Sequence, residues 1–154
     1  MIKFQEGNNQ FNFRSVALII KENHVLIQKD LKDDFWALPG GRVEFFENSS
    51  DTVVREIFEE LGWKVQLVRP VWFIENFFQI GITNFHETAT LYLMEILGNT
   101  EYQSNIEFRG LEDHLIFKWA DISKLNEINL KPKELKSKLK NLPSQVEFLS
   151  LDHN

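Results

Sequence analysis

Short β-prone runs separated by turn signals, with a few separated helix-like segments among them, predict an α/β (α+β) layered domain built on a mixed β-sheet. Three observations carry that expectation. Residues 14–20 and 24–29 are apolar runs of strand length around Lys21-Glu22-Asn23, a hairpin signal. Val54, Ile57, Phe58 and Leu61 fall at the i, i+3, i+4, i+7 spacing of one helix face. Residues 86–97 form the longest strand candidate, far along the chain from the first two.

Taken in order, residues 5–10 are polar and read as a loose start before the hairpin. Phe35-Trp36-Ala37-Leu38 leads into Leu38-Pro39-Gly40-Gly41, read as a tight turn. A helix of about 13 residues is expected from Ser49 to Leu61, with Asn48 as N-cap, Asp51 as a capping-box-like partner and Gly62 ending it. Residues 64–68 and 71–78 are two β-prone runs, 81–84 a turn and 98–110 a polar loop. Residues 115–119 read as a short strand, 121–125 as a helical turn and 133–141 as a basic helix with Pro132 near its start.

At 154 residues the chain is expected to form one domain, 1–154, with a sizeable core. Cysteine is absent, which removes disulfide and thiol chemistry. The first ten residues lack the apolar run of a signal peptide, and no stretch approaches the roughly 20 apolar residues of a membrane span. A cytoplasmic protein without a membrane partner is the expectation. The net charge of −6 argues against binding a nucleic acid polymer through a basic surface. It leaves a nucleotide substrate open, since bound cations offset local negative charge.

The chemistry concentrates in residues 41–63. At 100° per residue, Glu56, Glu59 and Glu60 lie within about a 100° arc of the expected helix, facing away from its apolar stripe. Three such carboxylates repel one another. A hard divalent cation removes that repulsion, and oxygen ligands suit Mg²⁺. The glycine turn ahead of the helix brings backbone carbonyls toward the same place. A solvated acidic face is the simpler alternative for the three acids taken alone, but Glu47, Arg55 and the glycine turn at fixed spacing speak against it.

Gly41, Glu47, Arg55, Glu56, Ile57, Glu59, Glu60 and Gly62 resemble the Nudix box, with Trp63 where an aliphatic residue is usual. Phe35-Trp36-Ala37-Leu38-Pro39-Gly40-Gly41 resembles the family's lead-in, and Trp119 followed by an aspartate-started turn and Pro132 resembles its ending. Glu75-Asn76-Phe77-Phe78 and Phe85-His86-Glu87 resemble a bacterial subgroup of no single substrate. The resemblance implies the Nudix fold, a mixed sheet sandwiched between helices. It also implies hydrolysis of a nucleoside diphosphate linked to another moiety (a nucleoside triphosphate, ADP-ribose or sugar nucleotide). Mg²⁺ (or Mn²⁺) would be held by Glu56, Glu59, Glu60 and the Gly40 carbonyl. Glu47 and Arg55 would hold the loop on the helix by charge-assisted hydrogen bonds. The proton acceptor would be Glu59 or Glu60, or a later-loop acid, for which Glu112 is the candidate.

Outside the box, Glu75 and Glu87 sit in aromatic strand contexts where an acid needs a reason: a second metal or a sugar hydroxyl, or strand ends facing solvent. Trp72, Phe77, Phe78 and Phe85 either stack a base or fill the core. Phe46 places a large ring beside the box and would narrow the mouth of the site. His86 is expected to be structural or exposed rather than a ligand, since a phosphate-bound hard metal prefers oxygen. The basic helix either attracts phosphate or is a solvated face. Edge strands and 14 Phe residues fit a homodimer. The competing reading is a catalytically idle domain of the same family that senses a nucleotide or pairs with another protein. A purely structural domain with an incidental acidic helix is a third.

Overall fold

A hairpin, not a loose segment, begins the chain. In the computed structural model, which describes residues 1–100 and 103–153, β1 (Lys3–Glu6) pairs antiparallel with the start of β2 (Asn9–Lys21). Most of residues 5–10 are therefore strand; the stacked rings of Phe4 and Phe11, 5.1 Å apart across the pair, give the polar segment an apolar anchor. A two-residue turn at Glu22 and Asn23, both with positive φ, then returns the chain into β3 (His24–Asp30) as expected. The expected tight turn at residues 38–41 is instead partly a short strand, β4 (Gly40–Arg42), antiparallel to Arg14–Val16 of β2.

Helix α1 spans Ser49–Leu61, the predicted bounds, and Gly62 ends it in the left-handed conformation at φ 74°, its N–H donating to the Phe58 carbonyl. Asn48 occupies the N-cap position but does not cap with its side chain, which donates to Asp51 instead. The buried face also differs from the expected stripe. Val53, Ile57 and Leu61 face the core together with Thr52 and Glu60, while Phe58 is 53% exposed. Spacing alone allowed two overlapping stripes, and the sheet selected the one containing Val53.

Residues 64–68 and 71–78 are not two strands but one, β5 (Val65–Ile80), with irregularities near Leu67 and Pro70 that absorb the proline's missing donor. It forms a long antiparallel pair with β6 (Thr83–Ile96). The loop expected at 98–110 contains β7 (Phe108–Arg109), and its residues 101–102 lie outside the described residues. β8 (Leu115–Asp121) pairs along the whole of β3. A 3-10 helix at Ile122–Glu127 follows, with Asp121 accepting from the Ser123 N–H. The expected basic helix shrinks to α2 (Leu135–Lys138), and an unforeseen last strand, β9 (Glu147–Asp152), runs parallel to β5.

The sheet order is β7-β8-β3-β2-β6-β5-β9, with β1 and β4 also paired to β2. The β2–β6 and β5–β9 pairs are parallel and the others antiparallel, so the sheet is mixed. Alternation along β2 divides the core. Val16 and Leu18 pack with Trp72, Leu91, Leu125 and Leu135 on one side; Ala17 and Ile19 pack with Ile57, Met94, Phe117 and Trp119 under α1 on the other. Trp63 stacks on Trp119 at 6.2 Å and on Phe108 at 6.1 Å, which explains a ring where the motif usually holds an aliphatic side chain. Among the described residues no helix is long and apolar enough to cross a membrane.

The orientation of α1 is checked by paired truncations. Val53→Ala should cost about 2 kcal/mol through lost burial and a residual cavity, whereas Phe58→Ala should change stability by about 0.5 kcal/mol or less. Urea unfolding of both variants measures this; the reverse ranking would mean that the helix presents its other stripe.

Candidate active site

The loop ahead of α1 is fastened to the helix by one carboxylate. Glu47 receives Arg55 Nε at 2.7 Å and Arg55 Nη2 at 3.0 Å, a forked pair, together with the Thr52 hydroxyl at 2.7 Å and the Glu44 N–H at 3.2 Å. The Arg55 hydrogen bond is the largest cause holding the Glu47 carboxyl down at about 2. Arg55 reaches further, donating to Glu56 at 3.0 Å, Glu59 at 3.3 Å and the Arg42 carbonyl at 3.4 Å. The guanidinium thus ties loop, helix and β4 together, and the Glu47 contact raises its own pKa.

Glu60 does not face away from the core as expected. Its residue is 5% exposed, and its Oε2 is buried without a hydrogen-bond partner. Burial first, then the charge of Glu56, pushes its carboxyl well above the usual carboxylate range. The charge of Glu112 adds to the rise and that of Arg14 opposes it. Glu56 is also displaced upward by burial, against the opposing Arg55 guanidinium. Its carboxylate lies where a Cβ on residue 41 would stand, so Gly41 is the space that admits it. Gly40 stands opposite Val16 in a register whose hydrogen-bonded pairs are Ala17–Pro39 and Phe13–Val43. Antiparallel alternation therefore turns the Gly40 carbonyl away from β2.

A cleft of about 1430 Å³ opens beside this pair. Glu56, Glu60 and Gly41 line it, and Arg14, Arg42, Lys32, Lys131, Lys133 and Lys136 also border it. Three lysines of the basic segment thus reach the cleft despite the shortness of α2, and the acids Asp30, Asp33, Asp34 and Glu44 share the lining with them. Phe78 and Glu87 line the cleft as well. Glu59 does not join Glu56 and Glu60; it is half-exposed and pairs with Arg55. Among the described residues no three carboxylates or imidazoles gather closely enough to hold a metal ion. The two that do converge, Glu56 and Glu60, leave one orphaned buried oxygen, and the Gly40 carbonyl turned from β2 lies in the adjoining strand. Such a hard-oxygen donor set fits a divalent cation.

Two expected substrate contacts are not brought to the cleft. Phe46 is fully exposed at positive φ in its loop and is not part of the lining. Glu75 is exposed on the sheet face opposite to Asn76 and Phe78. Residues an odd number apart on one strand cannot share a face, so Glu75 and Phe78 were incompatible choices, a signal already present in the sequence. Glu112 stays near Glu60 through the loop, where the Leu111 N–H donates to the Glu60 carbonyl at 2.7 Å, and its carboxylate approaches His114 at 3.5 Å. Trp72 is fully buried and belongs to the core, donating to Glu147 at 3.0 Å. His86 is exposed and lies between the rings of Phe77 and Phe11. Asn12, Arg14 and Asn76 line the cleft and were not anticipated. Their signal is register across non-neighbouring strands, invisible to a reading along the chain.

The family model described as NUDIX domain matches residues 12–142. An 8-oxo-dGTP diphosphatase of Buchnera aphidicola is 30% identical over 118 residues, 74% of this chain and 80% of that protein. The match to a Mycobacterium tuberculosis relative, 31% identical over 72 residues and 47% of this chain, spans only 29% of that protein's length. Among solved structures, a MutT NUDIX hydrolase from Burkholderia pseudomallei superimposes with a TM-score of 0.65 at 22% identity, covering 82% of this chain and 95% of its own. At that identity the likeness shows the fold.

The Glu56–Glu60 pair has a measurable consequence. An unfolded Glu60 titrates near 4.5, whereas the folded carboxyl titrates near 9. Between those values the unfolded chain binds fewer protons, so this group's contribution to stability falls as pH rises through the window. In chelator, the melting temperature should decline across it; Mg²⁺ or Mn²⁺ should restore it, and Glu60→Gln should flatten the decline. Thermal unfolding across pH checks all three, and an unchanged slope in Glu60→Gln would detach it from this pair.

Proposed function

This chain belongs to the NUDIX domain family, and from that membership we propose that it is a hydrolase of phosphoric anhydrides that cleaves the diphosphate of a nucleotide derivative. The Glu56–Glu60 pair at the edge of a cleft bordered by both basic and acidic side chains is the observation that supports this most. Glu56, Glu60 and the Gly40 carbonyl are the groups to hold a divalent cation, with Glu59 joining if it releases Arg55. Mg²⁺ or Mn²⁺ held there would neutralise the diphosphate charge and lower the pKa of water.

The protein's own side chains then have separate tasks. Lys131, Lys133 and Lys136 of the lining, and Arg14 beside Glu60, attract and orient the phosphates. Arg55 and Glu47 keep loop and helix in register, so that Gly41 continues to admit Glu56. Glu112 is the candidate proton acceptor, because its charge is felt at Glu60 and its loop is pinned to the end of α1. Glu59 is the alternative, since it is exposed enough to meet water. A small-molecule nucleotide partner and a cytoplasmic location complete the reading; the absence of cysteine agrees with the latter.

The test is metal-dependent release of phosphate or nucleoside monophosphate from nucleoside triphosphates, ADP-ribose and sugar nucleotides. Glu56→Gln and Glu60→Gln should each lower kcat by about a hundredfold or more, and Glu47→Gln by less. Glu112→Gln should flatten the acidic limb of the pH–rate profile. No turnover of any of these compounds with either metal would leave the idle, nucleotide-sensing domain as the reading.

A further inference from the structure

Helix α1 covers only part of the sheet face on which it lies. Its first turn is seated there through Ser49, which accepts from the Ser15 hydroxyl at its carbonyl and meets the Tyr92 hydroxyl with its own. Beyond that turn the same face carries a platform of rings with no helix over it. Register aligns Phe4, Phe11, His86 and Phe77 as one row across β1, β2, β6 and β5. Phe4 stacks on Phe11 at 5.1 Å, His86 meets Phe11 edge-on at 5.6 Å, and Phe77 lies 4.6 Å from His86. Phe73 of β5 and Phe148 of β9, 5.4 Å apart, extend the platform to the sheet edge. Phe4 is 63% exposed and Phe148 79% exposed. Charge on this face has one sign. Alternation places Glu6, Glu75 and Asp152 on it, and among the described residues the aligned positions hold no lysine or arginine. At about 4.8 Å per strand and 3.3 Å per residue over 73–79, the platform covers roughly 400 Å². An exposed apolar patch of that scale marks an interaction site.

We propose that this platform docks an amphipathic helix of a partner protein whose apolar stripe is bordered by lysine or arginine. The face already packs one helix, α1, and its uncovered end continues the same surface. The rings seat the apolar stripe. Glu6, Glu75 and Asp152 select cations along its borders, and the Phe faces add cation–π attraction for the same groups. A row of rings crossing a sheet is also a shape on which nucleic-acid bases stack, but the phosphates would meet three carboxylates and no cation. A second copy of this chain fits poorly on two counts. Face to face, it would set carboxylates against carboxylates, and the area is about half of what each partner contributes to a stable interface. A small interface of this kind suits a transient partner. The proposal is independent of the hydrolase reading, because none of the named platform residues lines the cleft.

Two synthetic helical peptides test it on the full chain, one with a leucine stripe bordered by lysines and one with the same stripe bordered by glutamates. Measured by fluorescence anisotropy of the labelled peptide, the lysine peptide should bind at least tenfold more tightly, and its affinity should fall as salt is added. Its addition should shift the ring resonances of His86 in NMR spectra. Joint Phe4→Ser and Phe148→Ser substitution, at two exposed positions, should weaken the lysine peptide at least tenfold. Glu75→Lys should do the same, whereas the equal charge change Asp34→Lys at the cleft should leave the affinity within about twofold of wild type, since distant surface changes act independently. Equal binding of the two peptides would overturn the proposal. So would a loss in Asp34→Lys as large as that in Glu75→Lys, which would mark simple attraction to an acidic protein. A dimer of the free chain in sedimentation, dissociated by Phe148→Ser, would make a second copy the occupant and overturn it as well. The comparison of the two peptides on the wild type, with the His86 resonances, decides even if a variant does not fold.

Discussion

The Arg55–Glu47 fork is the contact on which the site depends. One planar cation reaches the loop through Glu47, the helix through Glu56 and Glu59, and β4 through the Arg42 carbonyl. A lysine would offer a point charge where this arrangement needs a fork. Both partners are largely shielded from solvent, so the pair escapes the screening that makes most surface salt bridges weak. With the loop held, Gly41 lies against Glu56 and leaves room for its carboxylate. With Glu56 held, Glu60 keeps its neighbour in the pair.

The sheet sets the second constraint. Its strands each have two faces, and side chains alternate between them. One face of β2, β6 and β5 receives α1 at one end; the other carries the apolar core and then, further along, the polar row of Asn12, Glu87 and Asn76. The acidic helix and this polar floor both border the one cleft.

Legibility in the sequence followed the range of the interactions. The bounds of helix α1 and its ending glycine are legible to the residue because those signals are local, whereas the side-chain cap and the buried stripe are not. The turn at Glu22 and Asn23 was readable for the same reason. The burial of Glu60 was not, since a three-carboxylate arc and a core-facing acid have the same spacing and only the surrounding sheet separates them. The early hairpin and β9 were hidden because their stability comes from partners, Phe11 for Phe4 and β5 for β9, rather than from their own propensity. The basic segment was placed on a longer helix than forms, yet its lysines still face the cleft, since the packing of Leu135 and Leu139 fixes the segment regardless of helix length. Among cleft residues outside the box, aromatic strand context points to Phe78 and Glu87, while strand parity puts Glu75 on the opposite face.

The parallel pairing of β2 with β6 joins residues 75 positions apart, Asn12 to Glu87 among them. Closing so long a loop carries an entropic cost that must be met before the contacts it brings can compensate. The carboxylate end of the cleft has shorter connections: Glu47 to Arg55 is eight residues, and Gly41 to Glu56 is fifteen. The two ends of one cleft therefore differ in assembly order as well as in chemistry. The carboxylate end can be organised within a local segment, whereas the floor exists only once distant halves of the chain have met, which makes the floor the part of the cleft most closely coupled to completion of the fold.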